Sequence, residues 1–468
     1  MKRFLYCTAF AALLAASPTA QAQTTTFTVG ATTVSVSPLA TNLNVPWELV
    51  WGPDNFIWMT ERNGRISRVN PDTGEVLPLL SVPDVRATGE SGLLGMALHP
   101  DFATSPYLYI VYNYQQGNDL KEKLVRYTYA ASTRTLSSPL VLLDNITANT
   151  THSGSRLLIL PDRTLLMTTG DAQVRPEAQN PTSLNGKILR LNLDGTVPSN
   201  NPTPGSLVYT LGHRNPQGLV RASNGKIYSS EHGQDQDDEV NLIEAGRNYG
   251  WPNIEGRCDL TTEQAFCAAN NVREPLRTWT PTLATAGLIH YDHPAIPEWR
   301  NSLLMVTLKA AKLVQMPLVS TTEDIGTDNS YLTTFGRLRA ICVSPQGKIY
   351  ISTSNRDGRG APAATDDRIL LLENRAYLPA ATASAAKAAK LSVWPNPAQG
   401  SVTLRLPTAA TAPGQATVLD ALGRVARTMS FGAGQADMQL NIAGLTPGIY
   451  AVRARSGNAL YTQQLVVR

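Results

Sequence analysis

The stretch from Leu211 to Pro252 gathers an unusual set of binding and reactive side chains around one predicted strand. It carries a fixed cation at Arg214 and two amide side chains at Asn215 and Gln217. A histidine and an acidic run follow: His232, Asp235, Asp237, Asp238 and Glu239. An arginine fork suits a carboxylate or quinone oxygen, whereas carboxylate and backbone oxygens suit calcium. The stretch therefore predicts a site that binds a metal and an anionic cofactor together.

Each motif in this stretch also has a plainer interpretation. Arg214 would then only stabilise a loop, and the acidic run would only be solvated. The run lacks the glycine and the distal glutamate of an EF-hand loop, so calcium would need a different geometry here. His213 would point away from Arg214 in an extended segment, and we assign it a structural role.

A candidate general base comes earlier in the chain. His152 stands at the start of a predicted strand, and Asp171 stands at the end of the next one. A turn at Pro161-Asp162 would bring these far ends together. A carboxylate that binds one imidazole nitrogen fixes the tautomer and leaves the other nitrogen as a base. A purely structural histidine–aspartate hydrogen bond is the alternative.

Three further cations, Lys309, Arg337 and Arg339, lie near the ends of later predicted strands. Arg337 and Arg339 are two residues apart, so a strand would present both on one face. Like charges on one face imply an anion between them, with a solvated basic face as the alternative. The motifs of nucleotide and dinucleotide binding, zinc proteolysis and serine esterases are missing from the sequence, which argues against those functions.

A turn followed by a short β-rich run recurs six times along the chain. The six instances begin at Gly52, His99, Leu160, Ala222, Ile296 and Ser344. Their spacing of roughly 45 to 75 residues fits a four-stranded blade, so the pattern predicts an all-β, six-bladed β-propeller. A propeller would gather the polar ends of these runs on one face: Glu61, Asn113, Asp171, His232, Lys309 and Asn355. Unrelated hairpins in a sandwich are the alternative.

Composition favours an exported globular protein. The 468 residues include 16% charged residues and carry a net charge of only +4, without a concentrated basic patch, so nucleic acid and anionic membranes are unlikely partners. Residues 1–22 resemble a signal peptide, and no later apolar run has the roughly 18 residues that span a membrane. In an exported chain, Cys258 and Cys267 are expected to form a disulfide. Cys342 is expected to be a buried free thiol.

Three segments follow the signal peptide in this interpretation. Residues 23–376 form the propeller, and residues 377–390 form a linker of small residues. Residues 391–468 alternate apolar and polar positions between Gly/Pro turns, which predicts a small C-terminal β-sandwich. The sandwich contains no His, Cys or carboxylate cluster, so we expect the chemistry to lie in the propeller.

Several motifs resemble the soluble glucose and aldose sugar dehydrogenases that depend on pyrroloquinoline quinone (PQQ). The resemblance covers about residues 38 to 374. It rests on VPWELVWGPDNFIWMTE from Val45, SGLLGMALHPDF from Ser91, HSGSRL from His152, GHRNPQGL from Gly212, NYGWP from Asn248 and GRLRAICVSPQGKIYIST from Gly336. The family's six-bladed propeller agrees with the repeat count.

The resemblance implies a role for each matching residue. His152 corresponds to the base that removes the proton of the sugar C1 hydroxyl, with Asp171 as its orienting carboxylate and Arg214 polarising the quinone. The matches to cofactor-contacting positions are Glu90, Arg214, Asn215, Gln217, His232, Lys309, Arg337 and Arg339. Backbone oxygens of Gly233 and Gln234 match ligands of the calcium that joins protein to PQQ. Glu239 and Tyr249 resemble a second, structural calcium site.

Some of these positions depart from the family pattern. Glu90 stands where members often have Gln, and His232 replaces a Gln found in some members. Gln234 replaces a usual Pro, which makes the calcium turn the weakest part of the match. The segment TSNRDGRG from Thr353 also differs from the glucose enzymes and is a candidate for contact with substrate.

The implied function is oxidation of an aldose at its anomeric hydroxyl to a lactone, with electrons passed to an external acceptor. A non-catalytic surface propeller that binds a sugar or protein is the alternative, and a calcium-dependent lactonase is a weaker one. The tail resembles the C-terminal sorting domain of type IX secretion cargo, through WPNP at Trp394 and LTPGIYAVR at Leu445. That resemblance implies export through the periplasm to the cell surface or medium by the secretion machinery. A carbohydrate-binding or spacer sandwich is the alternative.

Overall fold

A computed structural model describes residues 24–319, 321–378, 391–420, 424–457 and 459–468. Contacts between residues divide the chain into two units, Met1–Leu378 and Pro379–Arg468. The predicted signal peptide and most of the predicted linker lie outside the described residues.

The first unit is built from short strands because β-branched and aromatic runs alternate with Gly- and Pro-containing turns. Its strands are β1 Thr25–Val29, β2 Thr32–Ala40, β3 Pro46–Trp51, β4 Ile57–Glu61, β5 Arg65–Val69, β6 Val76–Ser81, β7 Leu93–Leu98, β8 Tyr107–Gln116, β9 Asp119–Ala130, β10 Thr135–Thr147, β11 Gly154–Ile159, β12 Thr164–Thr169, β13 Lys187–Asn192, β14 Val208–Leu211, β15 Pro216–Arg221, β16 Ile227–Glu231, β17 Asp238–Ile243, β18 Arg277–Trp279, β19 Thr285–Tyr291, β20 Ser302–Thr307, β21 Leu313–Pro317, β22 Asn329–Tyr331, β23 Leu338–Val343, β24 Ile349–Thr353 and β25 Ile369–Glu373. The helical segments of its described residues are α1 Thr261–Ala269 and the 3₁₀ turns Arg175–Ala178 and Pro297–Trp299.

These strands form six antiparallel sheets over the described residues. Five sheets have four strands each: β3-β4-β5-β6, β7-β8-β9-β10, β11-β12-β13-β14, β15-β16-β17-β18 and β19-β20-β21-β22. The remaining sheet has the order β1-β2-β25-β24-β23. Ser35 of β2 lies opposite Glu373 of β25, so both ends of the unit share one sheet and close the arrangement.

The first strands of the sheets form a closed ring. Strands β3, β7, β11, β15, β19 and β23 contact one another in that order, and β23 also contacts β3. Such a ring of sheets is the arrangement of a β-propeller. Each of the six sequence repeats supplies the second strand of one sheet: β4, β8, β12, β16, β20 and β24. The prediction of an all-β unit made from repeated sheets is confirmed.

Buried apolar clusters lie between neighbouring sheets and explain why the strands are apolar on both faces. Trp58 of β4 and Tyr127 of β9 belong to one such cluster, and Tyr109 of β8 and Leu189 of β13 belong to the next. Trp299 and Ile351 pack in the cluster that joins β19–β21 to the closing sheet. A single sheet would leave these side chains in water, so the ring is what stabilises each one.

The second unit also consists of strands. They are β26 Ser392–Trp394, β27 Ser401–Arg405, β28 Gly414–Leu419, β29 Val425–Phe431, β30 Asp437–Asn441, β31 Gly448–Ser456 and β32 Ala459–Val467. They form the sheets β26-β27-β30 and β29-β28-β31-β32. Leu404, Val418 and Val452 belong to one buried cluster that both sheets share.

Two further sequence predictions concern the cysteines. Cys258 and Cys267 form a disulfide, and Cys342 is a buried free thiol, so both predictions are confirmed. Among the described residues, no helix has the length and apolar character needed to cross a membrane.

Candidate active site

A cavity of about 830 Å³ opens where the first strands of the ring begin. Each first strand brings a lining residue at or just before its start: Trp47, Glu90, His152, Arg214, Ala284 and Arg337. Eleven of the residues named individually from the sequence line it: Glu90, His152, Arg214, Gln217, His232, Gly233, Gln234, Asp238, Lys309, Arg337 and Arg339. The ring therefore brings residues far apart in sequence into one concave site, the usual form of a ligand site.

His152 and Asp171 lie together on one wall, as the turn between β11 and β12 predicted. His152 Nδ1 and Asp171 Oδ1 are 2.7 Å apart. The side-chain amide of Gln173 lies 3.2 Å from His152 Nε2. With the Nδ1 proton donated to Asp171, Nε2 is left as the acceptor that faces the cavity. The arrangement is competent for general-base chemistry.

Asp171 is fully buried and is held on both oxygens. The indole Nε1 of Trp251 donates to Oδ2 over 2.9 Å, and the backbone N–H of Gln173 donates to Oδ1 over 2.8 Å. Burial alone would raise the pKa of Asp171, but the hydrogen bond and charge of His152 outweigh it and hold the pKa below its usual value. We call His152, Asp171, Gln173 and Trp251 the base wall.

The backbone that carries the base wall is strained. His152 has φ +60°, and Ala172 and Gln173 have φ +49° and +66°. A side chain on Gly170 would collide with the carbonyl oxygen of His152, so this close approach requires glycine. Left-handed non-glycine residues cluster at functional sites because the surrounding structure must hold them there.

Arg214 and its two amide neighbours have different surroundings. The Arg214 guanidinium lies 5.3 Å from the ring centre of Trp251, and its Nε is buried without a hydrogen-bond partner within the described residues. Asn215 Oδ1 accepts from Gly154 N–H over 3.1 Å and from Gln217 Nε2 over 3.0 Å. Asn215 is thus not among the lining residues. It ties the start of β15 to the start of β11 beneath the cavity.

His232 and the residues after it form a second wall, on the sheet next to that of His152. His232 Nε2 donates to Thr285 O over 2.5 Å, and burial lowers the pKa of His232, which keeps it neutral. Asp238 accepts from Gly233 N–H over 2.9 Å, and Glu255 accepts from Gln234 N–H over 2.6 Å. We call residues 232–238 the metal turn.

The carbonyl oxygens of Gly233 and Gln234 accept no hydrogen bond from the described residues. They are therefore available to a cation. Within the same part of the chain, no group of three or more His, Cys, Asp or Glu side chains is arranged to hold a metal. A metal at this turn would depend on backbone oxygens and on its ligand.

Glu239 and Tyr249 lie outside the main cavity and line a smaller adjoining one with Glu231 and Glu255. Burial, reinforced by the nearby Glu231, raises the pKa of Glu239 well above its usual value. The Tyr249 hydroxyl donates to Leu242 O over 2.6 Å, so a metal would meet only the backbone of Tyr249. His213 is fully buried against the Tyr249 ring, in line with its predicted structural role.

The last group of cations corrects one expectation from the sequence. Arg337 and Arg339 do share an anion, but it is the chain's own Asp357. Lys309 is exposed at the rim, where its Nζ donates to Thr282 Oγ1 over 2.8 Å. No periodic signal pointed to Asp357 itself, although it follows β24 in the TSNRDGRG segment that was a candidate for contact with substrate.

Sequence reasoning missed Arg62, a further cation of the lining, whereas Arg359, another one, belongs to the TSNRDGRG segment that was a candidate for contact with substrate. Arg359 pairs with Glu90 at 3.2 Å, and Glu90 Oε2 accepts the backbone N–H of His152 over 3.3 Å. Altogether the lining holds six Arg and Lys side chains and three carboxylates, an excess of three positive charges. Such a cavity attracts an anionic ligand.

Four of the six polar strand ends expected at the site do not line it. Glu61, Asn113 and Asn355 are buried, and they fix loops: for example, Glu61 accepts Asn44 N–H over 2.7 Å, and Asn113 accepts Gly92 N–H over 3.1 Å. Asp171 is the fourth and acts through His152. Only His232 and Lys309 face the cavity, because the loops fold back over the other strand ends.

The comparison with protein families matches both units of the chain. Residues 43–370 match the glucose/sorbosone dehydrogenase model, and residues 392–468 match the secretion system C-terminal sorting domain. The quinoprotein glucose dehydrogenase B of Acinetobacter calcoaceticus is 35% identical over 405 residues, 67% of this chain and 84% of the relative. The aldose sugar dehydrogenase YliI of Escherichia coli is 30% identical over 351 residues, 70% of this chain and 91% of the relative.

A solved structure shows the same architecture. The PQQ-bound aldose sugar dehydrogenase of Streptomyces coelicolor superposes with a TM-score of 0.64 and 35% identity, covering 73% of this chain and 98% of that one. The shared propeller and the family match agree with the ring of sheets and its polar cavity. The chain belongs to the glucose/sorbosone dehydrogenase family and carries a secretion system C-terminal sorting domain.

Proposed function

We propose that this protein is an exported, PQQ- and calcium-dependent dehydrogenase that oxidises the anomeric hydroxyl of an aldose to a lactone. The observation that carries the proposal is one cavity that joins the His152–Asp171 pair to an excess of three positive charges. Relatives named as quinoprotein glucose and aldose sugar dehydrogenases support it.

The lining fits PQQ, a flat quinone with three carboxylates. Its negative charge is opposite in sign to the cation excess of the cavity, and the buried Nε of Arg214, which has no partner among the described residues, lacks the acceptor that a ligand oxygen would provide. Arg214, Gln217, Lys309, Arg337 and Arg339 would hold the cofactor, with Glu90 and His232 beside it. Asn215 would act from below by fixing Gln217.

Calcium fits the metal turn. Gly233 and Gln234 would bind it through their carbonyl oxygens, which have no other partner among the described residues. A second ion would bind near Glu239 and the backbone of Tyr249, where it would neutralise buried carboxylates. When bound, PQQ with calcium supplies the two-electron acceptor for the hydride that leaves the sugar C1.

The chain's own residues manage the proton. His152 Nε2 takes the proton of the C1 hydroxyl, so the C1–O bond becomes a carbonyl as the C1 hydrogen leaves with its electron pair. Asp171 stabilises the imidazolium that forms and holds its ring in place. Gln173, which contacts Nε2, must yield to the substrate hydroxyl. Arg214 donates to the ligand oxygens that gain charge.

The test is dye-linked oxidation of aldoses by apo-protein reconstituted with PQQ and calcium. We expect activity that requires both additions, and lactone as the product. A protein that binds no PQQ at micromolar concentration with calcium present would refute the proposal.

The proposal also covers the domain architecture of the protein and its destination. We infer that each of the six sheets is one propeller blade, that residues 23–376 form this catalytic domain, and that residues 391–468 form a β-sandwich. The sandwich would direct export through the secretion machinery, after removal of residues 1–22, to the cell surface or medium. An external acceptor would then reoxidise the cofactor.

A further inference from the structure

Asp357 occupies an unexpected place in the lining of the cavity. Its side chain is only 4% exposed, although it belongs to a loop. Asp357 Oδ2 accepts from Arg337 Nε over 2.7 Å and from Arg339 Nη2 over 3.4 Å. The hydroxyl of Ser354 donates to the same oxygen over 3.1 Å, and Arg359 N–H donates to Oδ1 over 2.9 Å.

These contacts keep Asp357 ionised. Burial would raise the pKa of Asp357, but the charges of Arg339 and Arg337 outweigh burial and hold the pKa below its usual value. Burial lowers the pKa of Arg339 to about 10. The charge of Asp357 is the largest of the influences that oppose this decrease. The three side chains therefore form a cluster with a net charge of +1.

The same cluster leaves donors for a ligand. No hydrogen bond from the terminal nitrogens of Arg337 is found within the described residues, while its Nε is used by Asp357. Arg339 is held independently, because its Nε donates to Ser354 Oγ over 2.9 Å. Neutralising Asp357 would thus leave the Arg339 guanidinium anchored and would mainly change the charge.

We propose that Asp357 is a specificity-determining residue that sets how much negative charge the cavity accepts, by remaining between Arg337 and Arg339 when the cofactor binds. The inference rests on the proposed function for the identity of the ligand. With Asp357, the side chains of the lining have an excess of three positive charges, not counting a bound calcium ion. Without the charge of Asp357 the excess is four. A carboxylate bound to Arg337 and Arg339 then no longer meets a like charge beside it.

The experiment compares apo wild type with Asp357→Asn. Each protein is titrated at fixed calcium with PQQ and, separately, with benzene-1,3,5-tricarboxylate, a flat trianion without a quinone, and binding is followed by calorimetry. We expect the variant to bind both ligands about tenfold more tightly at low salt, with a gap that narrows as salt screens the charges. Asp72→Asn, which removes an exposed carboxylate outside the cavity lining, should leave both affinities unchanged.

Two more variants separate charge from shape and folding. Asp357→Glu keeps the charge and should bind within about threefold of wild type. Arg337→Gln removes one cation. The double variant Arg337→Gln with Asp357→Asn should bind both ligands more tightly than Arg337→Gln alone. This comparison replaces the first one if Asp357→Asn alone does not fold. The inference would be overturned if the folded Asn variants bound no more tightly than the proteins that retain Asp357. It would also be overturned if Asp357→Glu bound as tightly as Asp357→Asn.

The two ligands also distinguish the inference from the proposed function. Wild type that binds the tricarboxylate but not PQQ would refute the proposed cofactor, and the tricarboxylate affinities would still decide the role of Asp357. Binding of neither ligand to wild type would overturn both.

Discussion

The base wall and the metal turn face the same cavity but differ in how far the chain itself completes them. Both ring nitrogens of His152 and both oxygens of Asp171 have partners. By contrast, the carbonyl oxygens of Gly233 and Gln234 have none within the described residues. The proposed base is therefore preorganised by the fold, whereas the metal turn, under the proposed function, would be completed by an ion and a ligand. Changes on the first wall should affect turnover, and changes on the second should affect binding.

The largest effect is expected from Asp171→Asn. An amide in this place removes the charge that stabilises the imidazolium, so kcat should fall about a hundredfold or more, while the affinity for PQQ stays within a few-fold. Trp251→Phe is the matched control, because it removes one hydrogen bond to the same carboxylate and should lower kcat by only about fivefold. Steady-state kinetics with saturating PQQ and calcium measure both. A loss of PQQ affinity in Asp171→Asn as large as its loss of kcat would erase the contrast between the walls.

The next effect belongs to the metal turn. In Gly233→Ala the new methyl group would collide with Gln236 O, so the turn must shift and its carbonyl oxygens move. We expect calcium and PQQ to half-saturate at concentrations about tenfold higher, as when the supporting shell of a metal is altered, with kcat at saturation little changed. Gly326→Ala, where a methyl group meets only ordinary contacts, is the control. Wild-type affinity in Gly233→Ala would show that the turn does not bind the ion.

A smaller effect concerns stability and pH. The folded pKa of Asp171 lies below its usual value, so ionised Asp171 stabilises the fold fully above the unfolded value of about 3.9. That contribution is lost as pH falls through the folded pKa. The difference in free energy of unfolding between wild type and Asp171→Asn should therefore be constant near neutral pH and shrink below about pH 4. Denaturant titrations over this range measure it, and a difference that grows at low pH would contradict a stabilising role of ionised Asp171.

The smallest effect on either wall is expected from removing the disulfide. Cys258 and Cys267 do not line the cavity, and they close a short loop that includes most of α1, with Cys267 on the helix itself. Cys258→Ser with Cys267→Ser should cost at most about 2 to 3 kcal/mol of stability and leave kcat and PQQ affinity within about twofold. A larger loss of PQQ affinity would mean that this loop supports the metal turn through Glu255.

The sequence predicted those parts of the site that depend on regular strands. The His152–Asp171 pair followed from a hairpin, and the six repeats located the second strand of every sheet. Asp357 could not be located in this way, because the 18 to 20 residues that separate it from Arg339 and Arg337 include a loop whose path no periodicity encodes. Arg62, in the loop after β4, could not be located for the same reason.

The polar strand ends show the opposite error. Periodicity correctly placed Glu61, Asn113 and Asn355 at the ends of their strands. Their side chains nevertheless do not line the cavity. Asn355 is buried because it donates to Phe335 O and Asp366 within folded-back loops. A buried polar side chain must find partners, and in these loops the nearest partners are backbone groups and side chains of the protein itself rather than a ligand.

The central claim of the proposed function is that His152 removes the proton while the metal turn and the cations of the lining hold the cofactor. It is tested most directly by mixing PQQ-loaded wild type and His152→Ala with an aldose in the absence of oxygen, and following the absorbance of the bound quinone. We predict complete reduction within one turnover in wild type and reduction slower by about a hundredfold or more in His152→Ala, with equal PQQ content in both. Equally fast reduction in the two proteins would contradict the account.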